Sequence, residues 1–345
     1  MSIVTAQKVF VGLDYHQDGV QVCVMDGTGK TLLNRKCGNA WGEIAAAVQR
    51  FGGEVEAAIE ACTGAANLAK ELVDKAKWSI SLGHAGFVSR MKQNPDKTDF
   101  SDARLLADLM RVGYLPKVWL APDRIVELRR LVRFRQQLVN ERRSVKLRIR
   151  ALLRDERLVL PKEEAGNTWT KAWLAQLRDY SRLKPVSQWV MNEQLDRLQE
   201  LSQRIRQAEQ RLELEVADDA LVRKLREQSG IGLITGATMR AEIAQFERFQ
   251  TGKQLSRFCG LSPRNASSGE KQADAGLIKA GNKELRAVLI EAAHRLLRCD
   301  QRWGQLGAKL LLKGKPKSVV VAAVANRWMR WLFHQMQPEN LATAA

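Results

Sequence analysis

The spacing of hydrophobic and polar positions changes character near Pro122. Before it, short apolar runs of strand type alternate with amphipathic helical segments. Lys8–Asp14 is an apolar run that ends on an acid. Val20–Met25 alternates and runs into Asp26-Gly27, a hairpin turn signal, before Thr31–Leu33 resumes. These segments predict three antiparallel strands. The pattern then predicts a helix over Ala40–Phe51, a buried strand over Val55–Glu60, a helix over Ala65–Lys77 and a strand over Trp78–Leu82. A last helix, Asp99–Val112, has Thr98 as its N-cap. The order βββαβαβα requires a mixed sheet, with the later strands joined by helical crossovers.

After Pro122 the strand signals disappear. Arg124–Leu158 has helical period, with Ile125, Leu128, Val132, Leu138, Val145, Ile149 and Leu152 on one side, and Pro161–Asn167 breaks it. Trp189–Leu214 repeats apolar residues at spacings of three and four (Met191, Leu195, Leu198, Ile205, Ala208, Leu212), interrupted by Ser202. The pair is expected to form an antiparallel helical arm or coiled coil, with an ordinary bundle equally compatible with the period. From Ala220 onward the chain reads as helical with glycine-rich joints. Ser229-Gly-Ile-Gly232 before Leu233–Thr238 looks like the turn of a helix-hairpin-helix element, whose exposed amides at Gly230 and Gly232 can hold a phosphate. In the tail, Lys309–Met336, Trp328 and Trp331 are expected in the core. The domains expected are 1–122, 123–217 and 218–345.

Charge sharpens this division. The 345 residues carry 56 Lys+Arg and 38 Asp+Glu, a formal charge of +18. Residues 1–122 hold 14 and 13 of these, so a net +17 lies in the remainder. Between Arg124 and Arg157 twelve basic residues face four acids, a ratio that suits a polyanion. Arg129, Arg130, Arg133, Arg142, Arg143, Lys146 and Arg150 are its candidate contacts, and a solvated helix face is the plainer alternative. The longest apolar run, Val319–Ala325, is far short of a membrane span. Five scattered cysteines without a CxxC pair, and no long apolar stretch near Met1, point to a reducing, cytoplasmic setting without structural zinc.

Four carboxylates stand where predicted elements end. Asp14 closes the first strand and Glu60 the fourth, and Asp99 and Asp102 share one face of a helix start. Acids brought that close repel, and divalent cations with a preference for oxygen ligands relieve the repulsion. Two such ions about 3.5–4 Å apart would hold the attacking and leaving oxygens of a phosphoryl displacement. The plainer alternative is that Asp99 and Asp102 complement a helix dipole. His16 and His84 read as surface histidines, and no HxxxH or HExxH spacing argues for zinc.

Taken together, Gly12-Leu-Asp14, Ile59–Gly64, Lys97–Arg104, Ser229–Gly232, Gly260–Arg264, Ser268-Gly269 and Lys279–Gly281 resemble the DEDD transposases of bacterial insertion sequences, a group related to Piv-type DNA invertases. The resemblance spans nearly the whole chain. It implies a ribonuclease H-like (RuvC-like) mixed-sheet domain, a helical coiled-coil connection and a mainly helical C-terminal domain that contributes a serine. It implies Mg²⁺, with Mn²⁺ as a substitute, on Asp14, Glu60, Asp99 and Asp102. Ser268, with Ser267 directly before it, would be the nucleophile that forms a covalent phosphoserine link to DNA. The partners implied are donor and target DNA, a structured noncoding bridge RNA, and further copies of the chain in a dimer or tetramer with composite sites. Arg264, Lys279, Lys283 and Arg286 become candidates to neutralise phosphates. A structure-selective nuclease using water, a nonenzymatic nucleic-acid-binding protein and an actin-like phosphotransferase are the competing readings.

Overall fold

In the computed structural model, which describes residues 8–92, 98–158, 168–178, 180–265, 274–278 and 281–337, the chain separates into two units, Met1–Ala121 and Pro122–Ala345. The first unit is built on β1 (Lys8–His16), β2 (Gly19–Met25) and β3 (Thr31–Cys37), followed by α1 (Trp41–Gln49), β4 (Glu54–Glu60), α2 (Ala65–Ala76) and β5 (Ser79–Gly83). Then come α3 (Ala85–Met91), α4 (Asp99–Arg111) and a two-residue β6 (Lys117–Val118). The sheet order is β3-β2-β1-β4-β5-β6. β1 is antiparallel to β2 and parallel to β4, so the ends of β1 and β4 lie side by side. The expected mixed sheet is present, extended by α3 and β6, which are too short to show a period of their own.

Alternation along the strands sorts the two faces. Val9, Val11, Leu13, Ala57 and Ile59 pack with Ile44 and Val48 of α1 and Leu68 and Leu72 of α2. The opposite face, with Phe10 and Ala58, meets Val88 of α3 and Leu106 and Met110 of α4. Gly12 lies on this second face, and a side chain there has no room. A Cβ on Gly12 would come 2.6 Å from the Ala107 amide nitrogen and closer still to the Ala103 carbonyl oxygen. The helix backbone therefore rests directly on the strand. Thr98 caps α4, accepting from the Ser101 amide at 3.2 Å, with Ser101 returning the bond as a capping box.

The second unit opens with α5 (Asp123–Asp155), α6 (Lys171–Arg178) and α7 (Pro185–Val216). α5 and α7 run antiparallel: Arg135 pairs with Glu209 at 2.6 Å near one end, and Ser187 donates to Glu156 at 2.5 Å near the other. Two details of the expected stripes change. Leu153, not Leu152, is buried on α5, and Leu201 carries the α7 stripe past Ser202, whose hydroxyl turns back to the Leu198 carbonyl at 2.7 Å. The remainder comprises α8 (Ala220–Arg226), α9 (Leu233–Ile243), α10 (Gly252–Phe258), α11 (Lys283–Cys299), α12 (Gln301–Leu312) and α13 (Lys317–Gln335). Trp328 is fully buried there and Trp331 packs on the same core.

The expectation of no strands after Pro122 is corrected by an antiparallel ribbon of β7 (Pro263–Asn265) and β8 (Asp274–Leu277). Its strands are short and polar, without the apolar alternation that marks a strand in sequence. Among the described residues, no helix is long and apolar enough to cross a membrane.

Gly12→Ala is expected to lower unfolding stability by about 1–3 kcal/mol through overpacking between β1 and α4. Chemical denaturation checks this, and an unchanged midpoint would contradict the close seating.

Candidate metal centre

The first unit gathers its acids at one end of the sheet. Asp14 and Glu60 follow Gly12 and Ala58 by the strand period, which places both on the face covered by α4. Because Leu13 and Ile59 are register partners, the two acids leave adjacent strand ends. α4 begins over the same edge with Asp99 and Asp102 in its first turn. A hydrogen-bond relay fixes that turn: the Gln21 amide donates to Asn34 at 2.8 Å, and Asn34 donates to the Phe100 carbonyl at 3.0 Å.

Among the described residues, Asp14, His16 and Asp99 form a group that could hold a metal ion. His16 Nε2 lies 3.2 Å from Asp14 Oδ2 and 3.3 Å from Asp99 Oδ1, and one ligand atom from each residue falls within 4.8 Å of the others. His16 is exposed, as expected, but it does not stand alone. It follows Asp14 by two residues on a strand, so it shares the acid's face, and that spacing is the sequence signal for their meeting. Asp102 is 7% exposed and takes a hydrogen bond from Lys92 Nζ at 2.6 Å. Lys92, just past α3, had no motif to mark it. Burial raises the Asp14 carboxyl above its ordinary range; the His16 hydrogen bond opposes the rise, and the charges of Asp102 and Asp99 add to it. A cation would relieve this cluster, and two carboxylates with one imidazole form a donor set that suits a hard or borderline divalent ion.

The basic residues of the second unit divide into two groups. Arg129 donates to the Ala241 carbonyl at 3.1 and 3.0 Å, and Arg133 forks onto Glu242 at 3.0 and 3.2 Å. Glu242 is 5% exposed, so this pair of arginines compensates an otherwise buried charge. Arg130 pairs with Glu127 on its own helix. Farther along α5, Arg143 and Arg150 are exposed, and Arg142 and Lys146 are half-buried.

In the remaining segment, Gly230 has φ +81, and Gly232 is the N-cap of α9. A cavity of about 560 Å³ lies there, where Arg295 binds the Gly230 carbonyl at 3.0 Å. Arg264 and Lys283 are exposed. Arg286 keeps one buried guanidinium nitrogen, against Gly260, without a hydrogen-bond partner among the described residues. Ser267, Ser268 and Lys279 lie outside the described residues.

Carboxylates gathered at one end of a sheet and a strongly basic second unit are features that suit metal-assisted chemistry on a polyanion. Comparison with known proteins identifies the family. A transposase model of the DEDD IS110 type matches residues 11–156, and the model described as "Transposase IS116/IS110/IS902 family" matches residues 222–307. The chain is 28% identical to a probable family 20 transposase of Pseudomonas aeruginosa over 82% of its length and 84% of the relative's. It is 26% identical to the transposase for insertion sequence element IS1111A of Coxiella burnetii, over 93% and 88%. For the IS1328 transposase of Yersinia enterocolitica the figures are 25%, over 79% and 81%. The chain belongs to the IS110/IS116 family of insertion-sequence transposases.

Two outcomes follow. A carboxyl raised in the folded state subtracts stability above its pKa, and the loss is recovered as pH falls through that value. Metal-free Asp14→Asn is therefore expected to melt at or above the wild-type temperature at neutral pH, with the difference closing in acid. Mg²⁺ or Mn²⁺ should raise the melting temperature of the wild type and not of Asp14→Asn. Thermal unfolding checks both, and a metal shift retained in the variant would remove Asp14 from the site. Separately, Glu242→Ala should cost about 1–3 kcal/mol, because it leaves half-exposed Arg133 without its carboxylate and Arg129 with the Ala241 carbonyl alone; denaturant titration measures it.

Proposed function

We propose that this chain is the recombinase of an insertion sequence, cutting and rejoining donor and target DNA in the cytoplasm under the guidance of a bridge RNA. The observation that carries this reading is the meeting of Asp14 and Asp99, from elements far apart in sequence, around His16. Asp14, Glu60, Asp99 and Asp102 would hold Mg²⁺, or Mn²⁺ in its place, with His16 as a further ligand; for Asp102 this requires Lys92 to give up its hydrogen bond. A bound divalent ion would supply charge neutralisation and polarisation at the scissile phosphate. The strand order β3-β2-β1-β4-β5 supports a ribonuclease H-like origin for the sheet, and residues 1–122, 123–217 and 218–345 are read as catalytic domain, connector and C-terminal domain.

Ser268 is the proposed nucleophile. Its hydroxyl gives up a proton as the Oγ–P bond forms and a P–O bond to the DNA sugar breaks, and the sugar oxygen leaves as a hydroxyl. A second DNA hydroxyl later reverses the exchange. One phosphoester is replaced by another at each step, so no nucleotide cofactor is consumed. The guide RNA would supply base pairing, leaving side chains to recognise helix shape and phosphates. A dimer or tetramer is the proposed working state.

The test mixes purified protein, guide RNA, DNA and Mg²⁺ and looks for a protein–DNA adduct that survives denaturation. Wild type and Ser267→Ala are expected to form it; Ser268→Ala and Asp14→Asn are not. Metal-dependent cuts without an adduct would replace this mechanism with hydrolysis by water.

A further inference from the structure

In the second unit, α5, α6 and α7 enclose a cavity of about 620 Å³. That volume falls within the range of about 300–1,000 Å³ typical of small-ligand sites. Its wall is one-sided in charge. Arg142 and Lys146 enter from α5, Lys171 and Arg178 from α6, and Arg206 from α7, and among the described residues no carboxylate lines it. Arg178 is paired with Asp196 at 2.6 Å, whereas Arg142, Lys171 and Arg206 have no acidic partner among the described residues. Trp169 stands at the same cavity, with Lys146 Nζ 4.6 Å and the Arg150 guanidinium 5.3 Å from its ring centroid. Trp173 is buried behind it at 4.9 Å, and Leu195 and Leu198, which line the cavity, belong to the arm's apolar core. Trp169 is held at φ +74, a backbone conformation that is costly for a bulky residue.

These features differ from those of a solvated helix face. Exposed cations on helices normally find acids three or four residues away, as Arg197 and Arg204 do with Glu200. Here cations from three helices converge on one concavity around an indole. Burial, together with Arg142 and Arg150, pushes the Lys146 ammonium below its ordinary range, so like charges crowd where an anion would relieve them.

We propose that this cavity binds one unpaired nucleotide of a single-stranded nucleic-acid segment, its phosphate among Arg142, Lys146 and Arg206 and its base against Trp169. A duplex fits poorly, since it keeps its bases stacked inside and offers phosphates on a convex surface. An unpaired residue offers both an anion and a π face to one pocket. The inference rests on the nucleic-acid reading given above, and adds to it a place and a strandedness.

The test measures binding of labelled oligouridine, oligothymidine and a DNA duplex to the full-length protein in EDTA by fluorescence anisotropy, across a salt series. Trp169→Leu is expected to weaken both single strands about tenfold and the duplex by less than about twofold, with Trp169→Phe restoring most of the loss. Arg142→Ala/Arg206→Ala should lower the log–log salt slope for single strands by about 1.4. A preference for oligouridine identifies an RNA strand as the occupant and the reverse a DNA strand, each in support. Trp169→Leu binding like wild type, or losing strand and duplex equally, overturns the inference while leaving nucleic-acid binding intact. Wild type that binds none of the three probes overturns both. Should Trp169→Leu fail to fold, the slope of the arginine variant decides: an unchanged slope overturns the inference.

Discussion

The seating of α4 directly on β1 at Gly12 is the constraint on which the meeting of Asp14, His16 and Asp99 depends. Ordinary side chains between a helix and a sheet keep the two backbones apart, and acids at their ends would then be separated by the intervening layer. With no side chain at Gly12, the Ala103 and Ala107 backbone reaches the strand, and the first turn of α4 arrives over the end of β1. Asp99 can then share His16 with Asp14. The capping box at Thr98 and the relay from Gln21 through Asn34 to Phe100 hold that turn in place. The acids themselves oppose the arrangement by mutual repulsion, so the packing must outweigh an electrostatic cost that a cation would remove.

The second unit solves a different electrostatic problem. Its excess of arginine is not simply spread over a surface. One portion is spent internally, where Arg129 and Arg133 secure Glu242 and the Ala241 carbonyl, and Arg240 binds the buried Asp219 at 2.7 Å. Such pairs join α5 to α9 and α8 to α9 through bonds with defined direction, which apolar contacts alone do not supply. In the other portion, farther along α5, Arg142 and Lys146 have no such acids among the described residues and line the cavity beside Trp169. A charge count by segment merges these two portions, although one is paired within the fold and the other is not.

Much of the fold was legible in the sequence because it rests on local periodicity. The alternation of Val9, Val11 and Leu13, the Asp26-Gly27 turn and the helical stripe from Ile125 to Ile149 each report a face that must be buried. The elements that escaped are short or polar: β6 has two residues, α3 has seven, and β7 and β8 are a polar ribbon. Leu153 and Leu201 show the same limit, since a stripe read by period locates a face, and the choice between neighbouring leucines follows from the partner helix.

The sequence by itself determined the order βββαβαβα, the division near Pro122 and the four acids at element ends, because strand period, helix period and capping act over a few residues. The tertiary structure alone decided that His16 stands between Asp14 and Asp99, that Lys92 occupies Asp102, and that Arg129 and Arg133 serve the fold while Arg142 and Lys146 line a cavity. These outcomes depend on which side chains meet across residues distant in the chain. Charge and hydrogen bonding act through space, so no local pattern records them.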